Sequence, residues 1–300
     1  MTDYLIITSS QDKASMNIRD KLLSSKSCRF KETELTWHNH SLFIFDGFVS
    51  EREKNKILQG QVYLGLTNER LIFLNDLKLD KSDINPDFLI FASRHRSKTA
   101  KPAFLTHTTG IWSGDTKFGG RSQEVSYSNA LMIKAAFLSL LEQKSIRNVK
   151  GYSVDLEVSH HGPTNLEKPI IFMELGSAPE QWDDTEAGII VADAMTETIV
   201  KYEELKENRD QKLAIGFGGT HYAPQFQKIL KETNIAVSHI CPKYYIQNLD
   251  KSFIEQIIQK NENKIDYFII DWKGTNSAEK KHLIPILEEF DIPYKKSKDF

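Results

Sequence analysis

The sequence predicts one α/β domain spanning residues 1–300, with a three-layer build of helices on a central sheet. Three observations carry this. The chain opens as strand, loop and helix. Apolar runs of strand length then alternate with segments of helical periodicity from 88 to 290. No internal repeat or low-complexity linker interrupts that alternation. A length of 300 residues also admits two domains, but the continuous alternation favours one.

Tyr4-Leu-Ile-Ile-Thr8 is the opening strand, Ser9, Ser10 and Asp12 are turn and cap residues, and a helix covers Ala14 to Leu23. Three short apolar runs follow at 42–45, 61–65 and 70–74, separated by charged stretches. They read as a small strand-rich decoration at about 40–75. Phe88-Leu-Ile-Phe-Ala92 is apolar throughout, as a strand buried on both faces must be. Pro102 to His107 reads as its neighbour, and a polar, glycine-rich loop runs from Thr108 to Arg121. Helical spacing marks 123–145, strict alternation marks a strand over 153–159, and Ile170 to Glu174 is a further strand. Ser177-Ala-Pro-Glu180 has capping-box spacing before a helix to about Lys206. A strand at 211–217, helices from Pro224 and over 249–260, a strand at 267–271 and a helix over 277–290 complete the chain. The basic tail Lys295-Lys-Ser-Lys298 reads as frayed.

Composition narrows the function. Apolar residues make up 40% and charged residues 27%, and 39 Lys and Arg against 41 Asp and Glu leave a net charge of -2. A polycation is excluded, so nucleic-acid binding would need a local basic patch. Two cysteines, Cys28 and Cys241, cannot form a disulfide framework and read as core residues of a protein in a reducing compartment. No apolar run approaches the ~20 residues of a membrane span. The first strand follows Met1 with no basic leader, so the expectation is a cytoplasmic protein.

The informative pattern is where polar residues fall. Ser93-Arg-His-Arg-Ser97, His107, His160-His161-Gly162 and Gly-Gly-Thr-His221 each stand at a strand end, and Glu174 ends a fifth strand. Ligands of open α/β sheets collect outside the carboxyl ends of strands, so five imidazoles and a carboxylate make one candidate site. Neighbouring residues in a strand face opposite ways. His160-His161 is therefore either one buried and one exposed histidine, or a pair reaching inward from the bend that Gly162-Pro163 begins. Asp155, Glu157 and Ser159 share a face that His161 continues. His95 lies among Arg94, Arg96, Lys98 and Lys101, which is either a solvated basic loop or a phosphate or nucleic-acid contact. The turn at Gly218 and Gly219 either cradles an anion or only packs tightly.

Catalytic zinc takes three His or carboxylate ligands and an open position for water. His95, His107, His160, His161, His221, Asp155, Glu157 and Glu174 supply candidates, but no short zinc spacing is present and the sequence leaves the ligand choice open. Nucleophile elbow, Walker loop and dinucleotide fingerprint are all absent.

Taken in order, Ser93-Arg-His-Arg-Ser97, Leu105-Thr-His107, Phe118-Gly-Gly120, Ser159-His-His-Gly-Pro-Thr164, Glu174-Leu-Gly-Ser177 and Gly218-Gly-Thr-His-Tyr-Ala-Pro224 resemble the D-aminoacyl-tRNA deacylases of the archaeal and plant type. The resemblance covers nearly the whole chain and is densest over 88–224. Two departures are Gly110-Ile111, where the family has Gly-Asn, and Thr220, where it has a third glycine. The resemblance implies a monomeric zinc enzyme that hydrolyses the ester between a D-amino acid and the 3′ end of tRNA. It implies a phosphorylase/peptidyl-tRNA-hydrolase-like fold, a mixed sheet between helical layers. It carries no implied membrane or obligate protein partner.

On that reading His161, Glu174 and His221 are the catalytic candidates, and metal ligands are sought among His95, Glu157, His160, His161 and His221. Arg94, His95, Arg96, Lys98, Lys101, His107, Gly218 and Gly219 would bind substrate, the two glycines as an oxyanion hole. Lys117 and Arg121 would clamp phosphates from the long loop. The rival readings are a zinc peptidase or amidohydrolase, a tRNA-binding module without catalysis and, on fold analogy alone, a nucleoside phosphorylase.

Overall fold

The computed structural model describes residues 1–49, 58 and 60–300. The opening unit is β1 (Tyr4–Ser9) and α1 (Lys13–Leu23), with Asp12 capping the helix by accepting from the Ser15 N–H at 3.0 Å. Next come β2 (Cys28–Trp37), β3 (His40–Phe48) and β4 (Val62–Thr67). The run at 70–74, expected as a strand, is instead a 3-10 turn over Leu71–Phe73. The charged stretch at 51–57 lies outside the described residues. β4 does not merely decorate the sheet, because it pairs in parallel with β1 inside it.

β5 (Phe88–Arg94), β6 (Ala103–His107), the short β7 (Gly110–Ile111) and β8 (Glu124–Val125) precede α2 (Ala130–Ile146), which starts later than the periodicity implied. β9 (Ser153–Leu156) ends three residues early, and β10 is Ile170–Gly176. The expected single helix over 177–206 is two, α3 (Pro179–Trp182) and α4 (Thr185–Glu207). Ser177 caps neither of them. Its hydroxyl donates to the Lys101 carbonyl, while the Gln181 side chain accepts from Ala178 N–H.

β11 (Lys212–Phe217), α5 (Pro224–Glu232), β12 (Ile235–Cys241), α6 (Lys251–Gln259), β13 (Tyr267–Ile270), α7 (Ser277–Leu287) and β14 (Tyr294–Lys296) complete the chain. The tail is therefore not frayed. β14 adds to β13 in parallel, and the Lys296 ammonium lies 4.3 Å from the centre of the Trp272 ring.

The strands form a large mixed sheet, ordered β2-β3-β4-β1-β5-β10-β6-β9, and a second, parallel sheet, ordered β12-β11-β13-β14. β6 is the antiparallel member beside β10. The period of two divides the large sheet's core. Tyr4, Ile6, Ile90 and Met173 face α1, α2 and α4, and Leu5, Ile7, Leu89, Phe91 and Phe172 face a cover built from Trp37, Leu71, Leu74, Leu77, Ile84 and Leu166. α2 is apolar on nearly every side because it packs against α4, against β6 and against β12 of the second sheet. One hydrophobic cluster thus runs through both sheets.

Phe172 shows how this core carries the site. Its ring is fully buried, stacks on Phe91 at 4.6 Å and lies under the His107 and His161 rings at 5.4 and 4.9 Å. Phe172→Ala should cost about 3–5 kcal/mol in chemical denaturation. A loss under about 1 kcal/mol would show that this layer does not support the imidazoles.

Candidate active site

The strand ends converge as the polar pattern implied. His95 follows β5, His107 ends β6, Glu157, His160 and His161 follow β9, Glu174 lies in β10, and His221 arrives from the second sheet after β11. His160 and His161 both reach inward because the strand has already ended. His161 sits at φ 43°, in the left-handed region a tight turn uses. Their rings are 4.5 Å apart, and His160 also lies 4.2 Å from His107 and 4.7 Å from His221.

Glu157 and Glu174 are the buried anions of this cluster, 1% and 3% exposed. His221 Nε2 is 2.8 Å from Glu157 Oε1, and His95 Nδ1 is 3.3 Å from Glu174 Oε2. His107 Nε2 stands 3.7 Å from Glu174 and 3.9 Å from Glu157, and His161 Nε2 stands 3.9 Å from Glu174. Burial works against charge on Glu174, but the adjoining imidazoles of His107, His161 and His95 outweigh it and hold its pKa well below the carboxylate range. Burial likewise opposes charge on His95 and His107, and the two carboxylates overcome it, so both pKa values lie above the imidazole norm. His160 is driven well below that norm, first by burial and then by neighbouring imidazoles.

Three of the histidines have their tautomers set by the backbone. Nδ1 of His107, His160 and His161 lies 2.7–2.9 Å from the carbonyls of Thr108, Val158 and Gly162. A carbonyl only accepts, so Nδ1 carries the proton and Nε2 is the atom offered to the site.

His107 Nε2 and both Glu157 oxygens are buried with no well-aligned hydrogen-bond partner. That is the signature of donors built for something other than one another. Among the described residues, three groups place their donor atoms within 4.8 Å: His107-His160-His161, Glu157-His160-His221 and His95-Glu157-Glu174. Imidazole and carboxylate donors of this kind, oriented through their other ring nitrogen, fit zinc. The five expected ligands are spread over all three groups, and His107 and Glu174, expected in other roles, join donor groups too. Asp155 belongs to none, since it accepts from Ser153 and Gln227.

The cluster forms the floor of a cleft of about 480 Å³, walled by Leu71, Ile72, Ile111, Trp112 and Phe118 and edged by Asp12, Arg70, Arg94, Arg96 and Lys117. Arg94 packs its guanidinium 5.5 Å over Trp182, and Arg96 is exposed. Lys98 and Lys101 are exposed and outside the cleft. Arg121 is also outside, 4.0 Å from Glu124, and Lys117 lines the cleft paired with Asp115 at 2.7 Å.

Gly218 and Gly219 do not fill their expected role. Gly218 N–H donates to the Cys241 carbonyl at 2.8 Å, and Gly218 packs against Thr275 and Asp271 and Gly219 against Asp271 rather than lining the cleft. The glycines that shape the site are Gly162 and Gly120. A Cβ on Gly162 would lie 2.1 Å from the Gly120 nitrogen, so the His160-His161 turn and the long loop touch backbone to backbone.

Sequence reasoning missed His239, in the unassigned strand β12. Its ring is fully buried, with Nε2 donating to the Ser126 carbonyl at 3.1 Å and Nδ1 accepting from the Ser159 hydroxyl at 3.2 Å. Ser159 N–H donates to the Ile240 carbonyl, and Trp112 Nε1 donates to the Ser159 carbonyl at 2.6 Å. His239 therefore pins the turn that carries His160 to the second sheet. The apolar run Ile235-Ala-Val-Ser-His-Ile-Cys241 was the available signal.

A mixed α/β sheet that gathers imidazoles and carboxylates beneath a cation-edged cleft defines an enzyme of acid–base and nucleophilic chemistry on an anionic substrate. Comparison with known proteins gives its kind. The sequence pattern of the D-aminoacyl-tRNA deacylase family matches residues 82–295. The D-aminoacyl-tRNA deacylase of Thermococcus kodakarensis is 34% identical over 294 residues, 97% of this chain and 98% of that protein. The one from Pyrococcus furiosus is 32% identical over 293 residues, with the same coverage. A crystal structure described as a conserved protein of unknown function superposes with a TM-score of 0.82 at 32% identity, covering 99% of this chain and 96% of that one. The chain belongs to the D-aminoacyl-tRNA deacylase family.

Two predictions follow from this geometry. Gly162→Ala should lower kcat/KM by about 100-fold and lower the unfolding midpoint with it, since the new Cβ meets the backbone of the long loop at the site. Unchanged turnover would show the loop contact to be dispensable. Burial lowers the His239 pKa to about 3. The folded value lies below the unfolded one, so the stability His239 contributes as a neutral ring is complete above pH ~6.5 and declines as pH falls toward the folded pKa. At pH 5 the loss is about 2 kcal/mol. Denaturation at pH 7.5 and pH 5 should show His239→Gln losing about 2 kcal/mol less between the two than wild type. Equal losses would place the low-pH sensitivity elsewhere.

Proposed function

We propose that this chain hydrolyses the ester between a D-amino acid and the 3′ end of tRNA with the imidazole–carboxylate cluster as its reaction centre. The observation that carries the reading is the convergence, beneath a cation-edged cleft, of the buried Glu157 carboxylate, contacted by His221, with His107 Nε2, which has no aligned hydrogen-bond partner. His160 belongs to two of the three donor groups, so it would be the central ligand of a bound Zn²⁺, with His107 and His161 or with Glu157 and His221 completing the set. When bound, zinc supplies Lewis acidity toward the ester carbonyl and lowers the pKa of water.

The chain's own groups do the rest. With Glu157, His160 and His221 as the ligand set, His161 directs its Nε2 into the site as the base for a water proton, and Glu174 stays ionised beside it. His95, whose pKa Glu157 and Glu174 raise, is the acid that returns a proton to the departing ribose oxygen. His221, at the mouth, is anchored to Glu157. Arg94 and Arg96 take the terminal phosphates. Among the described residues no helix is long and apolar enough to cross a membrane. We place the protein in the cytoplasm as a monomer acting on aminoacyl-tRNA.

D-tyrosyl-tRNA and L-tyrosyl-tRNA, each with and without chelator, test this. The expected outcome is release of D-tyrosine only, abolished by chelator, restored by zinc and reduced at least 100-fold by His160→Ala together with zinc content. D-selective release that survives rigorous metal removal would retain the reaction and reject the metal. No release from either tRNA would reject both.

A further inference from the structure

Aromatic side chains crowd the mouth of the cleft where water would ordinarily exclude them. Of the five exposed aromatic residues among those described, four border this mouth: Phe73, Phe118, Tyr222 and Tyr244; Phe118 is 57% and Tyr244 53% exposed. Phe118 lines the cleft from the long loop. Tyr245 lines it from the segment after β12, and its ring holds Tyr244 at 4.8 Å. Tyr222 stands 6.3 Å from the His95 ring, and Phe73 lies against Gly119.

Cations are interleaved with these rings. The Lys117 ammonium is 5.2 Å from the centre of Phe118, and the Arg70 guanidinium is 5.0 Å from that of Phe73. Both cations also line the cleft, Lys117 while paired to Asp115.

We infer that this rim is a stacking platform for the unpaired nucleobases that precede the ester, an inference that rests on the function proposed above. The scissile bond must reach the imidazoles on the cleft floor, so the terminal nucleoside lies within one nucleotide's length of His95. The strand behind it can leave only across the rim. Two separate segments supply rings there, the long loop with Phe118 and the segment after β12 with Tyr244 and Tyr245. An aromatic face binds any base, and an adjacent Lys or Arg meets the phosphate between two bases. An amino-acid side chain does not explain the arrangement, because more than half of the surface of Phe118 and of Tyr244 is exposed to solvent.

The platform is separable from catalysis in a binding experiment. The probe is an uncharged single-stranded RNA with the 3′ sequence C-X-A, where X is 2-aminopurine placed just behind the terminal nucleoside, whose fluorescence is quenched on stacking. Wild type should quench it. Tyr244→Ala and Phe118→Leu should each weaken binding about tenfold and raise KM for D-aminoacyl-tRNA by a similar factor, with kcat within twofold. Tyr244→Phe, which keeps the ring, should bind as wild type does. Both positions of change are exposed, and the fold should be unaffected. Absent quenching, or unchanged affinity in the Tyr244→Ala/Phe118→Leu double variant, overturns the platform. If wild type deacylates D-aminoacyl-tRNA but does not quench, the platform alone fails. If it quenches and responds to the substitutions without deacylating, the platform stands and the proposed reaction fails.

Discussion

Glu157 and Glu174 lie almost without solvent in the centre of the molecule, and an isolated carboxylate cannot be kept there. The surrounding structure answers that constraint. Four of the five site imidazoles bring a ring nitrogen within 4 Å of one or both carboxylates. The parallel pairing of β5 with β10 sets their carboxyl ends side by side, and the antiparallel pairing of β6 with β10 brings the end of β6 to Phe172, two residues before Glu174. A mixed sheet is therefore functional here. Reversing β6 delivers His107 to β10 from the opposite direction, level with Phe172, beneath the cluster. Such a group is costly as a stability device, since replacing buried ions with apolar residues is often neutral or favourable. Its retention is a matter of chemistry.

The second constraint is that the cluster spans two sheets. His221 is the only site imidazole from the parallel sheet, and its carbonyl accepts from Val158 N–H at 2.9 Å. Ser159 is held at the same seam by Ile240, His239 and Trp112. α2 fills the space behind and contacts both sheets, which is why its apolar surface has no solvent stripe. A shift between the sheets would separate His221 from Glu157 directly, so packing in the shared core and geometry at the site are one property.

The sequence revealed the site better than the sheets. His95, His107, His160, His161, Glu174 and His221 are legible because each stands where an apolar run stops, and that is local information. Sheet membership is not local. β2 reads Cys-Arg-Phe-Lys-Glu-Thr-Glu-Leu-Thr-Trp, with the polar residues of a strand exposed along much of its length, and it was passed over. β12 was missed as well, and the error at Gly218 follows from that. A glycine-rich turn after β11 looks like an anion cradle until the neighbouring strand supplies Cys241, whose carbonyl takes the Gly218 N–H. The same limit hid His239 and left the frayed-tail reading of 295–298 in place, since β14 exists only by pairing with β13. The lysines were misjudged for a different reason. Proximity in sequence put Lys98 and Lys101 with Arg94 and Arg96, but the chain turns away after Ser97.

The carbonyl partners of the histidines explain why the motifs take the form they do. His107, His160 and His161 give their Nδ1 protons to main-chain oxygens no more than two residues away, so no other side chain orients them. The direction of each Nε2 is then a property of a turn. This makes the backbone of the turns part of the chemistry. Gly162 permits contact with Gly120, and Thr109 donates to the Pro163 carbonyl behind it. A ligand oriented by a neighbouring side chain would appear in the sequence as two separated residues. One oriented by its own turn appears as a compact word, His-His-Gly-Pro, and that is why the centre of this site was readable before its surroundings were.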